Sequence, residues 1–390
     1  MNEENKYSPS DFDEYIRQGE PDTQQKAYNW QTAIGLQAVD GLRTSEYLLQ
    51  TARQHIEGQI DMEEVQAMLK SYYQNKSSRL PDEQQTEEAD RVAANITRIL
   101  STRTLAFNTN GYVALHRQIF DGVFKFAGQI RDYDITKKEW VLRGDTVSYL
   151  NYQDLRAALD YDIRQERDFD YSGLDMQQTI THIARFVAGL WQIHAFGEGN
   201  TRTTAVFTIQ YLRSIGFDIN NSLFARHSWY FRNALVRANY KNAQRGIMYD
   251  FSFLEKFFRN LLLGEKNELK NRTMLIDVPE VWETETPATE QVPNKYRTST
   301  EQVPNKYAVT DENVLRLIAV IGKEQKSVKE MLGELQMKHR PTFLDNYLEP
   351  ALKNGCVCML YPESPKHPRQ KYKLTVKGLA VWNEQKKNKI

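Results

Sequence analysis

Nine consecutive residues, 194–202, hold side chains that could together handle a phosphate group. His194 can take up a proton near neutral pH, and Glu198 offers the hard oxygen ligands that Mg²⁺ prefers. Gly197 and Gly199 allow the backbone to approach a phosphate closely, and Arg202 can present two parallel donors to phosphate oxygens. Each residue type alone is common at helix caps and surface pairs, but their conjunction in one turn predicts transfer of a phosphate-bearing group.

Two apolar helices are expected to position this turn. Upstream, apolar residues recur at helical spacing from Ile180 to Ile193. Downstream, residues 203–212 predict a second buried helix that ends at Gly216. The N-terminus of this second helix would offer unpaired backbone N–H groups and the positive end of a dipole, which together favour anion binding.

The same segment resembles the motif of the Fic (Fido) family, His-x-Phe-x-Asp/Glu-Gly-Asn-x-Arg, at every constrained position. The resemblance implies a mainly α fold, a helical bundle with a short β-hairpin flap. It also implies transfer of AMP from ATP, with Mg²⁺, to a Ser, Thr or Tyr hydroxyl of a protein. His194 would be the general base, Phe196 would anchor the loop in the core and Glu198 would hold the metal. The residues implied to bind the nucleotide are Gly197, Glu198, Gly199, Asn200, Thr201, Arg202, Thr203 and Ala205.

Two positions depart from the family pattern. Thr201 stands where the family often has Gly, and Ala205 stands where many members carry a second arginine. In the family, that arginine contacts the γ-phosphate and an inhibitory glutamate. Its absence keeps a second enzymatic hypothesis open, in which the same fold transfers UMP, phosphocholine or a phosphate.

A segment before the motif resembles the family's target-docking flap. Residues 124–131 are similar to the stretch that precedes it, and the alternation that follows predicts a β-hairpin. The resemblance implies that Trp140, Val141 and Leu142 would pair with the target backbone. An ordinary surface hairpin is the alternative.

A segment after the motif, residues 230–239, resembles the helix that lines the family's adenine pocket. Phe231 would cover one face of the base, and Asn239 would read an edge of the base or the ribose. The alternative for Phe231 is a plain core aromatic.

Composition and pattern divide the chain into five segments. The linker segment, 283–309, contains two copies of one Pro-containing sequence, 289–296 and 300–307, which indicates a tandem duplication in an extended tether. The segments are a flexible N-terminus at 1–26, an N-terminal helical module at 27–92, the catalytic domain at 93–282, the linker at 283–309 and a winged-helix domain at 310–390.

The N-terminal helical module resembles the small inhibitory unit associated with Fic enzymes, whose signature is Ser/Thr-x-x-x-Glu-Gly/Asn. Helices are predicted at 45–57 and 62–73. Asp40 and Glu57 are each followed by Gly and match the signature in part, so they are the candidate inhibitory acids. A helical prop with no inhibitory role is the alternative.

The C-terminal segment resembles a winged helix, a module that many Fic proteins carry. Its predicted elements are helices at 313–321, 327–335 and 341–354 and a hairpin with strands at 356–361 and 371–375. Residues 308–390 hold 15 Lys+Arg and 9 Asp+Glu, so DNA and a docking protein are both candidate partners. A third hypothesis follows, a DNA-binding regulator whose Fic domain senses nucleotide without catalysis.

Charge and cysteine usage limit the remaining classes. The 51 basic and 51 acidic residues cancel, so the net charge favours neither nucleic acid nor membrane. Cys356 and Cys358 would point to opposite faces of a strand, which argues against a disulfide. The absence of a secretory signal or membrane-length apolar run predicts a cytoplasmic protein without membrane contact. A protein substrate, the enzyme itself as a target, and a homodimer are the expected partners.

Overall fold

The computed structural model describes residues 12–74, 86–102, 104–219, 222–276 and 309–387. Within these ranges the chain is mainly α-helical and has one two-stranded antiparallel sheet. A large hydrophobic core draws on residues from Phe12 to Ile276, and a smaller one draws on residues from Val314 to Leu374. Among the described helices, none combines the length and apolar composition that crossing a bilayer requires.

Four of the described helices belong to the N-terminal part: α1 (Asp13–Gln18), α2 (Pro21–Gly35), α3 (Glu46–Ile56) and α4 (Met62–Gln74). The structure confirms the two predicted helices, and Ser45 caps α3 by accepting a hydrogen bond from Leu48 N. The prediction of a flexible N-terminus is wrong for residues 12–26, which are largely helical. Phe12 is fully buried there, so one aromatic anchors a stretch whose polar composition suggested disorder.

Seven helices form the central bundle: α5 (Glu87–Leu100), α6 (Thr109–Ile119), α7 (Leu155–Arg167), α8 (Met176–Ile193), α9 (Asn200–Ser214), α10 (Ser222–Ala238) and α11 (Ser252–Leu263). Helix α8 begins at a capping box formed by Asp175 and Gln178. Helix α9 is buried from Asn200 to Leu212. The motif therefore lies between two buried helices, as the sequence predicts.

The segment between α6 and α7 contains no strand, so the predicted β-hairpin flap is wrong. Trp140–Leu142 form one turn of 3-10 helix, in which Val141 and Leu142 are both fully buried. Strand residues alternate between two faces, so two adjacent buried side chains fit a turn better. Glu139 O accepts hydrogen bonds from the backbone N–H groups of Leu142 and Gly144 and thereby closes the turn.

The C-terminal unit contains α12 (Glu312–Ile321), α13 (Val328–Glu334), α14 (Arg340–Phe343), α15 (Glu349–Lys353), β1 (Val357–Met359), β2 (Tyr372–Leu374) and α16 (Val376–Lys387). A single π-helical turn, Leu344–Leu348, joins α14 to α15. The three predicted helices and the hairpin are confirmed, with Val357 opposite Leu374 in the register. Cys356 and Cys358 are both free thiols.

Helix α16, which the sequence analysis did not predict, joins the C-terminal unit to the bundle. Ala380 lies in the large core, and Asn383 Nδ2 donates to backbone carbonyls of the 3-10 turn before α8. Gly216 and Gly355 bring their backbones together, since a β-carbon on Gly216 would lie 2.3 Å from Gly355 O. The predicted linker duplication lies outside the described residues.

Candidate active site

His194 ends α8 in the left-handed conformation, with φ of 51°, and only 3 % of its surface is exposed. Its Nδ1 lies 3.3 Å from Trp191 O. Because a carbonyl oxygen only accepts, Nδ1 carries the proton and Nε2 has a free lone pair. Nε2 is buried and has no hydrogen-bond partner among the described residues. Burial, followed by the charge of Lys137, holds the pKa of His194 well below its usual range, so the ring is neutral near pH 7.

Aromatic rings fix the orientation of His194. The Tyr149 ring lies 4.2 Å from it between centroids, and the Trp191 ring meets it edge-on at 5.2 Å. Tyr149 donates its hydroxyl to Glu139 Oε1 at 3.1 Å. The buried Glu139 carboxylate in turn pairs with Arg232 at 2.7 Å. This chain of contacts restrains the imidazole ring.

The side-chain amide of Asn200 closes the motif turn. Its Nδ2 donates to Phe196 O at 2.7 Å, and its Oδ1 accepts from Phe196 N at 3.0 Å. The resemblance implied that Asn200 would cradle phosphate, but both of its polar atoms are engaged within the turn. Asn200 therefore shapes the loop. Phe196 is fully buried, as expected for an anchor.

His116 of α6 holds the other side of the turn. Its ring stacks on Phe196 with centroids 3.8 Å apart. Gly128 N donates to its Nδ1 at 2.9 Å, so its Nε2–H donates to Glu198 O, 3.0 Å away. Burial lowers the pKa of His116 to about 4 and keeps the ring neutral, as this pattern of one donor and one acceptor requires.

The two motif glycines are required for different reasons. Gly199 has φ of +76°, and a β-carbon there would lie 2.1 Å from the Phe120 ring. A β-carbon on Gly197 would lie 2.6 Å from the hydroxyl oxygen of Tyr133. Gly199 therefore serves close packing of the backbone on the core, whereas Gly197 faces the half-exposed Tyr133.

Glu198 is the most exposed polar side chain of the motif. Its carboxylate is 42 % exposed and lies 3.4 Å from Lys137 Nζ. Its Oε1 also accepts from Gly199 N at 3.1 Å. The described residues contain no cluster of three His, Cys, Asp or Glu side chains that could hold a metal ion. A cation here would have Glu198 as its carboxylate ligand and would need further oxygens from a bound phosphate.

Arg202 lies in the first turn of α9, as predicted, and is fully buried. Its guanidinium has three partners from the N-terminal part and α5. Nε lies 2.7 Å from Asp40 Oδ2, an ion pair not aligned for a hydrogen bond, and the terminal nitrogens donate to Gln37 Oε1 at 3.1 Å and Glu88 Oε1 at 2.8 Å. The Phe120 ring lies 4.8 Å from the guanidinium carbon. Two carboxylates thus neutralise the arginine that was expected to bind phosphate.

The two candidate inhibitory acids have different environments. Asp40 ends the 3-10 turn Leu36–Asp40 and contacts Arg202 directly. Glu57 instead accepts hydrogen bonds from Tyr15 and Gln59 on the protein surface. The contacts of Glu57 lie outside the motif, so its inhibitory role stays a prediction without a supporting contact.

The remaining motif residues are buried in α9. Thr201 Oγ1 accepts from Trp191 Nε1 at 3.0 Å, and Thr203 Oγ1 donates to Gly199 O at 2.9 Å. Ala205 is fully buried in the large core. These three side chains stabilise the helix and its junction with the turn, and none of them presents a polar group to an open surface.

The structure does not support an adenine-lining role for Phe231 and Asn239. Phe231 is fully buried and contacts the rings of Phe224, Phe257 and Phe258. The Asn239 amide donates to backbone carbonyls of α8 and α10. Both residues stabilise the core, which was the stated alternative for the aromatic.

The predicted flap residues also have structural roles. The side chains of Val141 and Leu142 are buried in the core, Val141 O accepts from Ile276 N, and Trp140 is partly exposed. Pairing of this segment with a target backbone stays a prediction. Several residues that contact the motif were not predicted from the sequence, namely Gln37, Glu88, His116, Arg131, Tyr133, Lys137 and Tyr149. Their positions follow no fixed spacing from the motif, so only the folded chain brings them together.

Comparison with known proteins decides the family of this site. The Fic/DOC family profile matches residues 106–212, which include the whole turn and the helices on each side of it. The chain carries a Fic/DOC domain. Such a domain implies transferase activity of the Fic type.

A second profile, the C-terminal domain of Fic-like "filamentation induced by cAMP" proteins, matches residues 312–375. Among solved structures, a Fic family protein from Desulfovibrio desulfuricans G20 is similar at 15 % identity, covering 94 % of this chain and 93 % of that one, with a TM-score of 0.40. A search of curated proteins finds no match.

Proposed function

We propose that this Fic protein is a protein adenylyltransferase, which moves AMP from ATP to a Ser, Thr or Tyr hydroxyl of a protein. The observation that carries the proposal is the state of His194. It has an unpartnered, deprotonated Nε2. His194 lies four residues before a glycine-flanked carboxylate and six before the first residue of a helix that lacks a side-chain cap. A base beside an anion-binding helix end is what activation of a hydroxyl toward a phosphate requires.

In the proposed reaction the target hydroxyl attacks the α-phosphorus of ATP, and pyrophosphate leaves. His194 Nε2 takes the hydroxyl proton, since its lone pair is free and Nδ1 is held by Trp191 O. The phosphates would lie at the N-terminus of α9, where backbone N–H groups and the helix dipole favour negative charge. Catalysis in such a site depends mainly on positioning and charge stabilisation.

The chemistry of Glu198 fits a magnesium ligand. Its carboxylate is partly exposed beside the proposed phosphate site, and Mg²⁺ commonly uses one or two carboxylates together with substrate phosphates. When bound, the ion would neutralise phosphate charge. Lys137 now lies against the same carboxylate, so it would have to move aside.

Asp40 is proposed to reduce the activity of the resting enzyme. Arg202 is fully buried between Asp40 and Glu88, and both acids are partly exposed. A phosphate can reach the guanidinium only by displacing at least one of these carboxylates. The acid here contacts the motif arginine itself, because the position of the family's second arginine is Ala205.

The proposal is tested with ATP labelled on the α-phosphate. Wild-type chain incubated with Mg²⁺-ATP and cell lysate should transfer label to protein, and His194→Ala should abolish the transfer. Equal incorporation by both chains would reject the assignment. Intact mass spectrometry of the product identifies the group transferred.

A different donor is the second candidate, favoured by the burial of Ala205 in place of a phosphate-binding arginine. Competition between ATP, UTP and CDP-choline in the transfer assay distinguishes the two, because a clear preference for a donor other than ATP selects this alternative.

The exposed basic residues of the C-terminal unit, among them Lys338, Arg340 and Arg369, favour a further role in DNA binding by a winged helix. Salt-dependent DNA binding without any transfer would favour the regulator hypothesis.

A further inference from the structure

We propose that Lys137 binds a phosphate of the donor nucleotide and brings the positive charge that the buried Arg202 and Ala205 do not supply there. The inference rests on the proposed function, because it assigns a further residue to the donor at the same site. It arises from the contact between Lys137 and Glu198 at the start of α9.

One oxygen of Glu198 joins the Lys137 ammonium to the backbone at the start of α9. Oε1 lies 3.4 Å from Lys137 Nζ and accepts from Gly199 N at 3.1 Å. Gly199 is the N-cap residue of the helix. An ammonium and a helix-end N–H that meet at one anionic oxygen are also the donors that suit a phosphate oxygen. The Glu198 carboxylate thus occupies a place where a phosphate oxygen could bind once the side chain turns away.

The arginines at the motif are already committed to other partners. Arg202 is fully buried against two carboxylates. Arg131 is buried too, and its guanidinium donates to the backbone carbonyls of His194 and Leu150. The position of the family's second arginine holds the buried Ala205. A phosphate at the start of α9 therefore needs a cation from another part of the chain.

Lys137 has the freedom that these arginines lack. Its side chain is 30 % exposed, and among the described residues its ammonium contacts only the Glu198 carboxylate, at 3.4 and 3.5 Å. A charge-assisted hydrogen bond is typically shorter, at about 2.7–2.9 Å, so the pair is loose. The flexible four-carbon stem of lysine lets the ammonium turn from the carboxylate to a phosphate.

The charge of Lys137 also acts on the proposed base. After burial, it is the largest cause that holds the pKa of His194 below its usual range. Lys137 therefore interacts with both His194 and Glu198, the two side chains that the reacting phosphate must approach in the proposed reaction.

A plain surface ion pair would give the opposite behaviour. If Lys137 only paired with Glu198, it would compete with a cation for that carboxylate, and its removal would strengthen binding of Mg²⁺-ATP. If Lys137 binds phosphate, its removal weakens binding of ATP, even where Glu198 has lost its charge. The two roles therefore predict changes of opposite sign.

Equilibrium binding of ATP tests the proposal, with His194→Ala as the reference chain so that no transfer occurs. Adding Lys137→Met should weaken binding of Mg²⁺-ATP about 10-fold, the lower end for loss of a hydrogen bond to a charged group, whereas adding Lys137→Arg should keep most of the affinity. Lys138→Met is the matched control, since Lys138 is the adjacent lysine and is exposed, and it should bind as the reference chain does. Denaturant unfolding checks that each variant is folded.

The Glu198→Gln substitution separates binding of phosphate from pairing with the carboxylate. In a chain that carries Glu198→Gln, and without magnesium, Lys137→Met should still weaken binding of ATP about 10-fold. Unchanged or tighter binding after Lys137→Met, in either background, would overturn the proposal.

The transfer assay shows separately whether the proposed function holds. Transfer of label by the wild type, together with unchanged ATP affinity in Lys137→Met, would overturn this inference and leave the adenylyltransferase standing. Weaker binding in Lys137→Met without any transfer by the wild type would keep the phosphate-binding residue and reject the transferase. No binding of ATP, even with Asp40→Asn to release Arg202, would overturn both.

Discussion

Replacement of Asp40 by Asn is expected to raise the rate of transfer while it lowers the stability of the chain. The substitution keeps the shape of the side chain and removes its negative charge. Asp40 lies 2.7 Å from Arg202 Nε, whereas Glu88 and Gln37 contact the other guanidinium nitrogens. The variant therefore weakens the enclosure of Arg202 without leaving its charge unpaired.

The size of both effects follows from that contact. Because Glu88 remains, the loss of stability should be about 1.5–3 kcal/mol, the range for a contact with a charged group. It should stay below the ~3–5 kcal/mol expected when a buried charge loses every partner. If the same contact must open before phosphate reaches Arg202, its loss should raise the rate at subsaturating ATP by about 10- to 150-fold.

The assay pairs initial rates of label transfer with denaturant unfolding of the same preparations. Glu57→Gln is the control, because Glu57 lies in the same N-terminal part but bonds only Tyr15 and Gln59 among the described residues. It should leave the transfer rate unchanged. If both the transfer rate and the unfolding free energy fall in Asp40→Asn, the reasoning is refuted, and Asp40 serves instead to orient Arg202.

Three further predictions concern the motif turn. Gly199→Ala should lower the free energy of unfolding by about 2–4 kcal/mol, because the position has a positive φ and the new β-carbon would clash with Phe120. Gly246→Ala is the control: its φ is +70° but the space around it is open, so the loss should be about 1 kcal/mol. Denaturant unfolding measures both losses. Asn200→Ala should lose about 2–3 kcal/mol in the same assay, because it removes both amide hydrogen bonds that close the turn. The pKa of His116 is lowered to about 4, so the unfolded chain binds more protons below about pH 6.5, and unfolding free energy should fall by about 3 kcal/mol as the pH drops to 4. His116→Gln should remove that part of the pH dependence, and an unchanged profile would contradict the assignment of a neutral ring.

The elements on each side of the motif could be predicted because local signals specify them. Apolar spacing defined α8 and α9, and Ser45, Ser327 and Gly264 mark helix ends where capping rules place them. Three helices and a hairpin in the C-terminal unit followed from the same signals. These features depend on residues a few positions apart, which a sequence displays directly.

The errors arose where distant residues decide the structure. Residues 133–136 alternate in polarity, yet Glu139 pairs with Arg232 from α10 and draws the following residues into a buried turn. Phe231 could have covered a nucleotide base, but three aromatic rings from α10 and α11 enclose it. Family resemblance transferred roles to these positions, and tertiary packing overruled them.

The chemistry of the motif was predicted only in part for the same reason. His194 has an unpartnered ring nitrogen and Glu198 has a partly exposed carboxylate, which suit the proposed base and metal ligand. Asn200 and Arg202 were expected to face a phosphate, but the first closes the turn and the second is enclosed by acids from elsewhere in the chain. A motif names the side chains available, whereas the surrounding fold determines which of them are free.

Helix α9 connects the motif turn to the C-terminal unit as one rigid rod. It begins at Asn200 and ends at Ser214, a span of about 22 Å at 1.5 Å per residue. Immediately beyond it, Ile215 O accepts from Lys377 N, and Gly216 abuts Gly355. Because these contacts join the C-terminal end of α9 directly to the C-terminal unit, a displacement of that unit would also displace the first residues of α9. The spacing between His194 and the N-terminus of α9 is therefore mechanically linked to the C-terminal unit.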